Sequence, residues 1–168
     1  ACWNETGIGI ACRVRGKRKP LRCDPVRFWA GDNLRLCTDM RDARNVKRAT
    51  RYCQQFYFLP AGGGARGDEP VAGVNKIKRA REEAPPVAAE LIEVASGVRA
   101  SGYSLAAFIP AECLSGFDAA EHPRIGFYYI VEDSEHGQQY LTVGDDLYWY
   151  VDPSTWATAV LARGAGKV

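Results

Sequence analysis

Short runs in which every second residue is apolar recur along this chain, and they constrain its fold more than any other feature. Residues 7–15, 33–40 and 102–109 each show this alternation. A period of two places successive side chains on opposite faces of an extended strand. Residues 51–59 form an aromatic-rich run that we predict to be a further strand, ended by Pro60 because proline cannot donate to a β-ladder. Short strands separated by turns predict an all-β fold, an antiparallel β-sandwich of the immunoglobulin or jelly-roll type.

The rest of the chain adds more strands and very little helix. Additional strands are predicted at residues 89–95, 125–131, 138–143 and 156–161. Because residues 125–131 are apolar at nearly every position, we expect that strand to lie inside a sheet that is covered on both faces. The glycine-rich residues 61–70 are predicted to be a flexible loop. The one predicted helical segment is a short turn near residues 110–114, where Pro110 takes a first-turn position.

Charge and hydropathy exclude several classes of partner. The chain carries a formal net charge of +2 at pH 7, with a pI near 8.3. This balance is too mild to favour a nucleic acid or an acidic membrane, and no apolar run approaches the roughly 18 residues of a membrane span. Neither an internal repeat nor a signal peptide is visible. We predict one domain over residues 1–168, excised or trimmed from a longer chain, whose oligomeric state stays open.

Six cysteines leave two interpretations open. They are Cys2, Cys12, Cys23, Cys37, Cys53 and Cys113. No C-x-x-C pair occurs, which argues against a zinc ribbon or a thioredoxin-type motif. In an oxidising compartment some of them would pair as disulfides, whereas in a reducing compartment they would be small buried hydrophobic residues. Cys12 shares the apolar face of its predicted strand, which favours a buried thiol at that position.

No complete catalytic motif accompanies the strands. The chain has two histidines, His122 before a proline and His136 in a polar turn, and both are predicted to be surface residues rather than general bases. No Gly-x-Ser-x-Gly, P-loop or His-Glu-x-x-His sequence is present. We therefore predict a protein that is not an enzyme.

Four segments occur in one order along the chain, and together they carry a resemblance to a known family. They are Trp29-x-x-Asp32 with the strand that ends at Asp39, Gly102-Tyr103-x-Leu105-x-Ala107-x-Ile109-Pro110, Ile125-Gly126-Phe127 with the run to Gly137, and Asp152-Pro153-Ser154-Thr155-Trp156. Segments of this kind in this order resemble the family 9 carbohydrate-binding modules (CBM9), within the wider DOMON-like group of β-sandwiches. The pattern from Arg48 to Pro60 is similar to a bacterial branch of that group.

The resemblance implies a non-catalytic module that binds a sugar or a polysaccharide end, attached to or acting beside a glycoside hydrolase. It also implies an extracellular or periplasmic location and a domain whose first strand is missing here. Members resemble one another in clamping a terminal sugar between two aromatic rings, because the C–H faces of sugars are apolar. Trp29 matches the first ring, and Tyr150, with Trp149 beside it, matches the second.

The polar positions of this chain differ from the family pattern. Arg35 stands where members carry a carboxylate, while Tyr57 and Leu59 stand where they carry an arginine and an asparagine. The candidate ligand-binding residues are Trp29, Arg35, Gln55, Tyr57, Trp149 and Tyr150. Two alternatives stay open from the sequence: Trp29 packs in the core, or the domain is an interaction scaffold whose sugar site has been lost.

Two further ligands are considered, although the main prediction is a domain without a cofactor. Some relatives hold calcium, and Asp39, Asp42, Asp145 and Asp146 are the candidate ligands here, without an EF-hand spacing. Some DOMON-like sandwiches bind haem b through a methionine, which gives a second alternative function in electron transfer. Met40 is the one methionine of this chain, and its place on the apolar face of a strand favours core packing.

Overall fold

Two antiparallel β-sheets packed face to face make up the protein, as seen in a computed structural model that describes residues 1–163. The strands are β1 (Cys2–Asn4), β2 (Gly7–Arg15), β3 (Asn33–Asp39), β4 (Cys53–Gly63), β5 (Glu69–Asn75), β6 (Glu93–Arg99), β7 (Gly102–Pro110), β8 (Arg124–Asp133), β9 (Gly137–Tyr140) and β10 (Ala157–Val160). Short 3₁₀ turns lie at Ala89–Leu91, Ala111–Cys113, Asp145–Leu147 and Pro153–Thr155. None of the helical turns within residues 1–163 is long and apolar enough to cross a membrane.

The two sheets differ in size and in strand order. The smaller sheet has the order β1-β2-β7-β6, and the larger has the order β10-β8-β3-β4-β5, with β9 also paired to β8. Neighbouring strands in both sheets run antiparallel. The predicted all-β antiparallel sandwich is therefore confirmed, and β8 lies inside the larger sheet as its unbroken apolar run predicts.

The main core lies between the two sheets, where the apolar sides of the alternating strands meet. Its buried members include Ile8, Ile10, Leu34, Leu36, Met40, Phe56, Phe58, Leu105 and Ile109. Burial of one such side chain contributes roughly 1.5–3 kcal/mol. Since a shift of one residue would turn a whole strand over, these side chains fix which residues of each strand point outward. The outward residues form the candidate site.

A second apolar cluster lies on the outer face of the larger sheet, which we call the covered face (the outward side chains of β3, β4, β5 and β8). The segment that follows β9 places Trp149 and Trp156 over Tyr128 and Ile130 of β8. The ring of Tyr128 stacks on Trp149 with 4.8 Å between ring centres. The indole N–H of Trp156 donates to the carbonyl of Trp149 at 2.8 Å. Both faces of β8 are therefore buried.

The structure corrects the predicted boundaries around β4. Pro60 does not end this strand, which runs to Gly63, and β5 already begins at Glu69. Most of the loop predicted at residues 61–70 is thus a hairpin. The pairing register shifts between Leu59 and Gly63, and an irregular stretch tolerates a proline because the ladder does not need its missing N–H there.

The bounds of other predicted strands shift by a few residues, and two strands of the structure were not predicted. β6 begins at Glu93 rather than at residue 89, because a 3₁₀ turn occupies Ala89–Leu91. β1 and β5 have no counterpart among the predicted strands, whereas the predicted helical turn near 110–114 is the 3₁₀ turn Ala111–Cys113. That residues 1–168 form one domain stays a prediction, and residues 164–168 lie outside the described part of the chain.

Candidate ligand-binding cleft

An open cleft of about 450 Å³ lies on the covered face, beside the second apolar cluster, which contains Trp149 and Trp156. Its lining comes from three parts of the chain: the arm before β3, the strands of the larger sheet, and the segment that follows β9. The aromatic lining residues are Phe28, Trp29, Trp149 and Tyr150, and Lys76 and Lys78 add positive charge. Clefts that bind small ligands have volumes of roughly 300–1,000 Å³, so this cleft is large enough for one.

The cleft has a polar floor because strand pairing brings outward polar side chains together. Arg35 on β3 lies opposite Tyr57 on β4, and Gln55 on β4 lies opposite Asn75 on β5. Alternate residues of a strand face the same side of the sheet. The polar residues that line the cleft are Arg35, Gln55, Asn75, Glu132, Gln138 and Asp145.

Arg35 is the most tightly held of these floor residues. It is 8% exposed, its Nε donates to Asn33 Oδ1 at 3.1 Å, and its guanidinium pairs with the carboxylate of Glu132. The guanidinium carbon lies 5.0 Å from the ring centre of Trp149, within range of a cation–π contact. Burial lowers the pKa of the Arg35 guanidinium, and the charge of Glu132 opposes that shift. The Arg35–Glu132 pair is therefore ordered before any ligand arrives.

The amide and carboxylate groups of the floor are also oriented by hydrogen bonds. Gln55 Oε1 accepts from Asn75 Nδ2. Asp145 accepts from the indole N–H of Trp149 at 2.8 Å and from Gln138 Nε2 at 3.1 Å. An amide or a carboxylate has more bonding positions than these contacts use. The floor can therefore both donate to and accept from the hydroxyl groups of a ligand.

Two aromatic rings of the cleft are exposed and a third is buried. Trp29 is 51% exposed and Tyr150 is 37% exposed, whereas Trp149 is 1% exposed. The alternative that Trp29 packs in the core is therefore wrong. Trp149 is held between Tyr128, Arg35 and its own bond to Asp145, so it builds the cleft instead of offering an open ring face. The open rings are those of Trp29 and Tyr150.

Tyr57 does not line the cleft but supports one of its walls. Its ring stacks on Phe28 with 4.1 Å between ring centres, and Phe28 meets Trp29 edge-on at 5.1 Å. Gly73 pairs with Tyr57 across the strands, and a side chain at Gly73 would overlap the Tyr57 ring. Because Gly73 has no side chain, there is space for the Tyr57 ring, and that ring positions the Phe28–Trp29 arm.

A buried ion network fixes the base of the same arm. Lys17 Nζ donates to Asp32 Oδ1 at 2.9 Å and to Asp133 Oδ2 at 2.8 Å, and Asp32 Oδ2 accepts from the Arg22 backbone N–H at 2.7 Å. Desolvation disfavours the charged forms, but the hydrogen bonds outweigh it: the pKa of Lys17 is raised, and the pKa of Asp133 is lowered to about 2. Asp32, in the Trp29-x-x-Asp32 step, is therefore an anchor of the arm.

Of the six predicted ligand-binding residues, five line the cleft: Trp29, Arg35, Gln55, Trp149 and Tyr150. Tyr57 is the exception, because its ring faces Phe28. The sequence predicts that Arg35, Tyr57 and Leu59 replace the polar residues that form the hydrogen-bond set of the family. The structure supplies hydrogen-bonding groups from other strands, and Leu59 is buried. That any of these residues binds a ligand stays a prediction.

Several polar residues of the cleft were missed from the sequence. Asn75 lies on β5, which lacks an alternating pattern, so nothing in the sequence signalled it. Glu132 follows the predicted strand 125–131 by one residue and has the same parity as the outward Tyr128 and Ile130. Extending that strand by one residue would have placed Glu132 beside Arg35 on the same face.

Most of the residues considered for a metal or haem have other partners. The Asp39 carboxylate accepts from the backbone N–H groups of Arg41 and Ala43, at 3.0 and 2.8 Å. Asp42 accepts from the hydroxyl of Thr158 at 2.9 Å. Over the described range, residues 1–163, no three His, Cys, Asp or Glu side chains are grouped to hold a metal ion. Met40 is buried in the main core.

All six cysteines fall within the described residues and are free thiols. Cys37, Cys53 and Cys113 are buried, Cys12 and Cys23 are partly buried, and Cys2 is exposed. The structure therefore favours the interpretation of structural thiols over that of disulfides. Burial raises the pKa of Cys37 and of Cys53 to about 12, which keeps both thiols protonated.

Comparison with known proteins agrees with the fold. No family model matches the sequence, and no curated protein matches it. The structure is similar to a carbohydrate binding module family 9 from Caldicellulosiruptor kristjanssonii in complex with cellotriose, with a TM-score of 0.63, 14% identity, and coverage of 99% of this chain and 75% of that one. For the module from that organism in complex with glucose, the TM-score is 0.64 with 12% identity, and the match covers 99% of this chain and 76% of that chain. The chain therefore has a CBM9-like fold.

Proposed function

We propose that this domain is a non-catalytic carbohydrate-binding module. One observation carries the proposal: the two exposed rings, Trp29 and Tyr150, border the same cleft, and its floor is made of oriented polar groups. An aromatic ring matches the apolar C–H face of a sugar, while hydroxyl groups need fixed polar partners. The cleft offers both kinds of contact within about 450 Å³.

The proposed ligand is a glucose-containing sugar, bound by a terminal unit. The similar solved modules are complexes with cellotriose and with glucose, and the resemblance implies a clamp on a terminal sugar. In this chain the rings of Trp29 and Tyr150 would stack on the sugar, and Gln55, Asn75 and Asp145 would bond its hydroxyls. The charges of Arg35 and Glu132 are paired with each other, so their part of the floor suits the neutral hydroxyl groups of a sugar.

We assign the module no reaction of its own and place it within the DOMON-like group, in a bacterial branch. The positions of the two histidines support a module without a reaction of its own, since neither histidine lines the cleft. His122 is in a turn where its N–H donates to the Asp118 carbonyl at 2.8 Å, and His136 is exposed in the β8–β9 turn. Attachment to a glycoside hydrolase, or action beside one, outside the cell or in the periplasm, belongs to the same proposal.

Titration calorimetry with glucose and with cellotriose tests the sugar site. The wild type is expected to bind, and Trp29→Ala is expected to lose about five- to thirtyfold in affinity, because stacking on the ring and the apolar area that it buries together contribute about 1–2 kcal/mol. Tyr140→Ala is the matched control, since Tyr140 is also an exposed aromatic residue but lies outside the cleft.

The result also separates this function from the alternative of an interaction scaffold. Binding that Trp29→Ala removes and Tyr140→Ala leaves intact supports the sugar site. No heat of binding to a folded wild type at millimolar sugar would overturn it and favour a scaffold whose sugar site has been lost. An absorbance spectrum with a Soret band would instead favour the haem-binding alternative.

A further inference from the structure

The outer face of the smaller sheet, which we call the bare face (the outward side chains of β2, β6 and β7), carries three arginines side by side. Arg13 and Arg15 are two residues apart on β2, so they point to the same side. Arg99 lies in one cross-strand row with Arg15, separated from it by Gly102 of β7. All three arginines are exposed.

Glycines and small residues keep the centre of this arginine cluster open. In the next row Arg13 is followed by Ser104 and Gly97. A depression of about 290 Å³ lies among the three arginines and these small residues. Gly102 has a φ of +147°, and a Cβ at that position would collide with the Val14 carbonyl. The backbone itself therefore keeps the floor of the depression free of a side chain.

The positive charge of the cluster is not balanced by the protein. Arg13, Arg15 and Arg99 form no ion pair with any side chain of the described residues 1–163. The three guanidinium groups lie on β2 and β6, with only β7 between those strands, and they repel one another; holding them together therefore costs free energy unless an anion binds.

The basic surface continues beyond the depression. Arg99 also lines an adjoining hollow of about 390 Å³ together with Arg18 and Lys19. The Glu135 carboxylate accepts from the backbone N–H groups of Arg18 and Lys19 at 2.8 Å each, so it is engaged with the backbone and not with their side chains. An elongated ligand could therefore contact cations at several successive positions.

We propose that the arginine cluster is a second binding site, which takes the carboxylate or sulfate groups of an anionic polysaccharide. The planar guanidinium fork matches such oxyanions with two parallel hydrogen bonds. A single-stranded nucleic acid fits less well, since its bases need exposed aromatic rings to stack on. The aromatic residue that lines the depression, Tyr103, is buried. This site does not depend on the cleft, because the two lie on opposite faces of the sandwich.

Binding to dextran sulfate, with uncharged dextran as the reference polymer, tests the site. The wild type is expected to bind dextran sulfate but not dextran, with an affinity that falls as salt increases. The variant Arg13→Gln/Arg15→Gln/Arg99→Gln is expected to lose at least about tenfold in affinity, because charge-assisted contacts are lost. The control Arg51→Gln/Arg66→Gln/Arg81→Gln removes the same charge from exposed arginines elsewhere and is expected to change the affinity less than about threefold.

Each outcome decides a different part of the proposal. An equal loss in both triple variants would show that only net charge matters and would overturn the site. Tight binding of inorganic sulfate with no gain from the polymer would reduce it to a small-anion site and overturn the polysaccharide. A single-stranded oligonucleotide that binds as tightly as dextran sulfate would also overturn an anionic polysaccharide as the ligand. Trp29→Ala is expected to bind dextran sulfate as the wild type does, so failure of the cleft would leave this proposal standing.

Discussion

The two outer faces of the sandwich are built in opposite ways. On the covered face, Trp149 and Trp156 close over β8, and the polar residues beside them pair with one another, as Arg35 does with Glu132. On the bare face no segment of residues 1–163 covers the sheet, and most outward residues of its middle are small. The arginines of this face have no ion-pair partners within the same range. One fold thus carries a packed, prearranged surface on one side and an open, charged surface on the other.

The difference follows from the size of the outward residues. Large outward apolar residues such as Tyr128 and Ile130 need a cover, because exposed apolar area is unfavourable in water. The bare face presents Ala11, Ala95 and Ala106 at the corresponding positions of its strands, and these expose little area. A covering segment brings side chains in from another part of the chain, which is how a cleft forms. A sheet without a cover binds mainly with the side chains that its own strands present.

Thiol reactivity should show the largest contrast between the faces. Cys2 is exposed and pairs with Gly9 at the edge of the smaller sheet. Cys37 and Cys53 are buried under the covering segment, and burial raises the pKa of each to about 12. Because the thiolate is the reactive form, an aromatic disulfide reagent at pH 8 should modify Cys2 at least about a hundredfold faster than it modifies Cys37 or Cys53. Mass spectrometry of labelled peptides measures this, with denatured protein as the control; fast labelling of Cys37 would show that the cover opens.

Removal of the cover should be the most destabilising substitution. Trp156→Ala deletes a fully buried indole and its bond to the Trp149 carbonyl, and such substitutions cost about 3–5 kcal/mol. The matched change on the bare face is Phe108→Ala, which should cost roughly 1 kcal/mol because Phe108 is only partly buried. Urea denaturation of both variants measures the difference. Equal costs would mean that the bare face supports the fold as strongly as the covered face does.

The sequence predicts the bare face better than the covered one. Strands β2 and β7 keep a period of two over their whole length, so the outward positions of Arg13, Arg15 and the small residues follow from the pattern alone. The cleft depends on contacts between distant segments, such as Arg35 of β3 with Glu132 of β8 and Gln55 of β4 with Asn75 of β5. No local pattern encodes those contacts. Trp29 and Tyr150 were found through the resemblance to a family, and Asn75 was missed because β5 does not alternate.

Acid should weaken the ion network that anchors the arm of the cleft. Hydrogen bonds lower the pKa of Asp133 from 3.8 to about 2 in the folded protein. A lowered pKa means that this stabilisation is fully present above about pH 4 and is lost as the pH falls towards 2, with a total of about 2 kcal/mol. Urea unfolding at pH 6, 4 and 3 should show the loss. Asp133→Asn should be less stable at pH 6 and should lack this part of the pH dependence; an unchanged dependence would place the acid-sensitive group elsewhere.

The smallest expected effect concerns a residue that supports the cleft without lining it. Tyr57→Ala removes the ring on which Phe28 stacks, so the arm with Trp29 should become more mobile. The affinity for cellotriose should fall about three- to tenfold, because a loose wall must be ordered on binding. Amide exchange at Ala30, whose N–H donates to the Arg27 carbonyl at 2.7 Å, reports the mobility of the arm directly.

Two comparisons decide what Tyr57 does. Gly73→Ala should have the same effect as Tyr57→Ala, because a side chain at Gly73 would push the Tyr57 ring aside. Tyr140→Ala removes an exposed tyrosine that is not in contact with the arm and should change neither the affinity nor the exchange rate at Ala30. If Tyr57→Ala weakened sugar binding while exchange at Ala30 stayed slow, the Tyr57 ring would contact the sugar itself, and the positioning role would be wrong. The covered face would then bind the sugar with a side chain of its own strand β4, as the bare face is proposed to bind its ligand with side chains of its own strands.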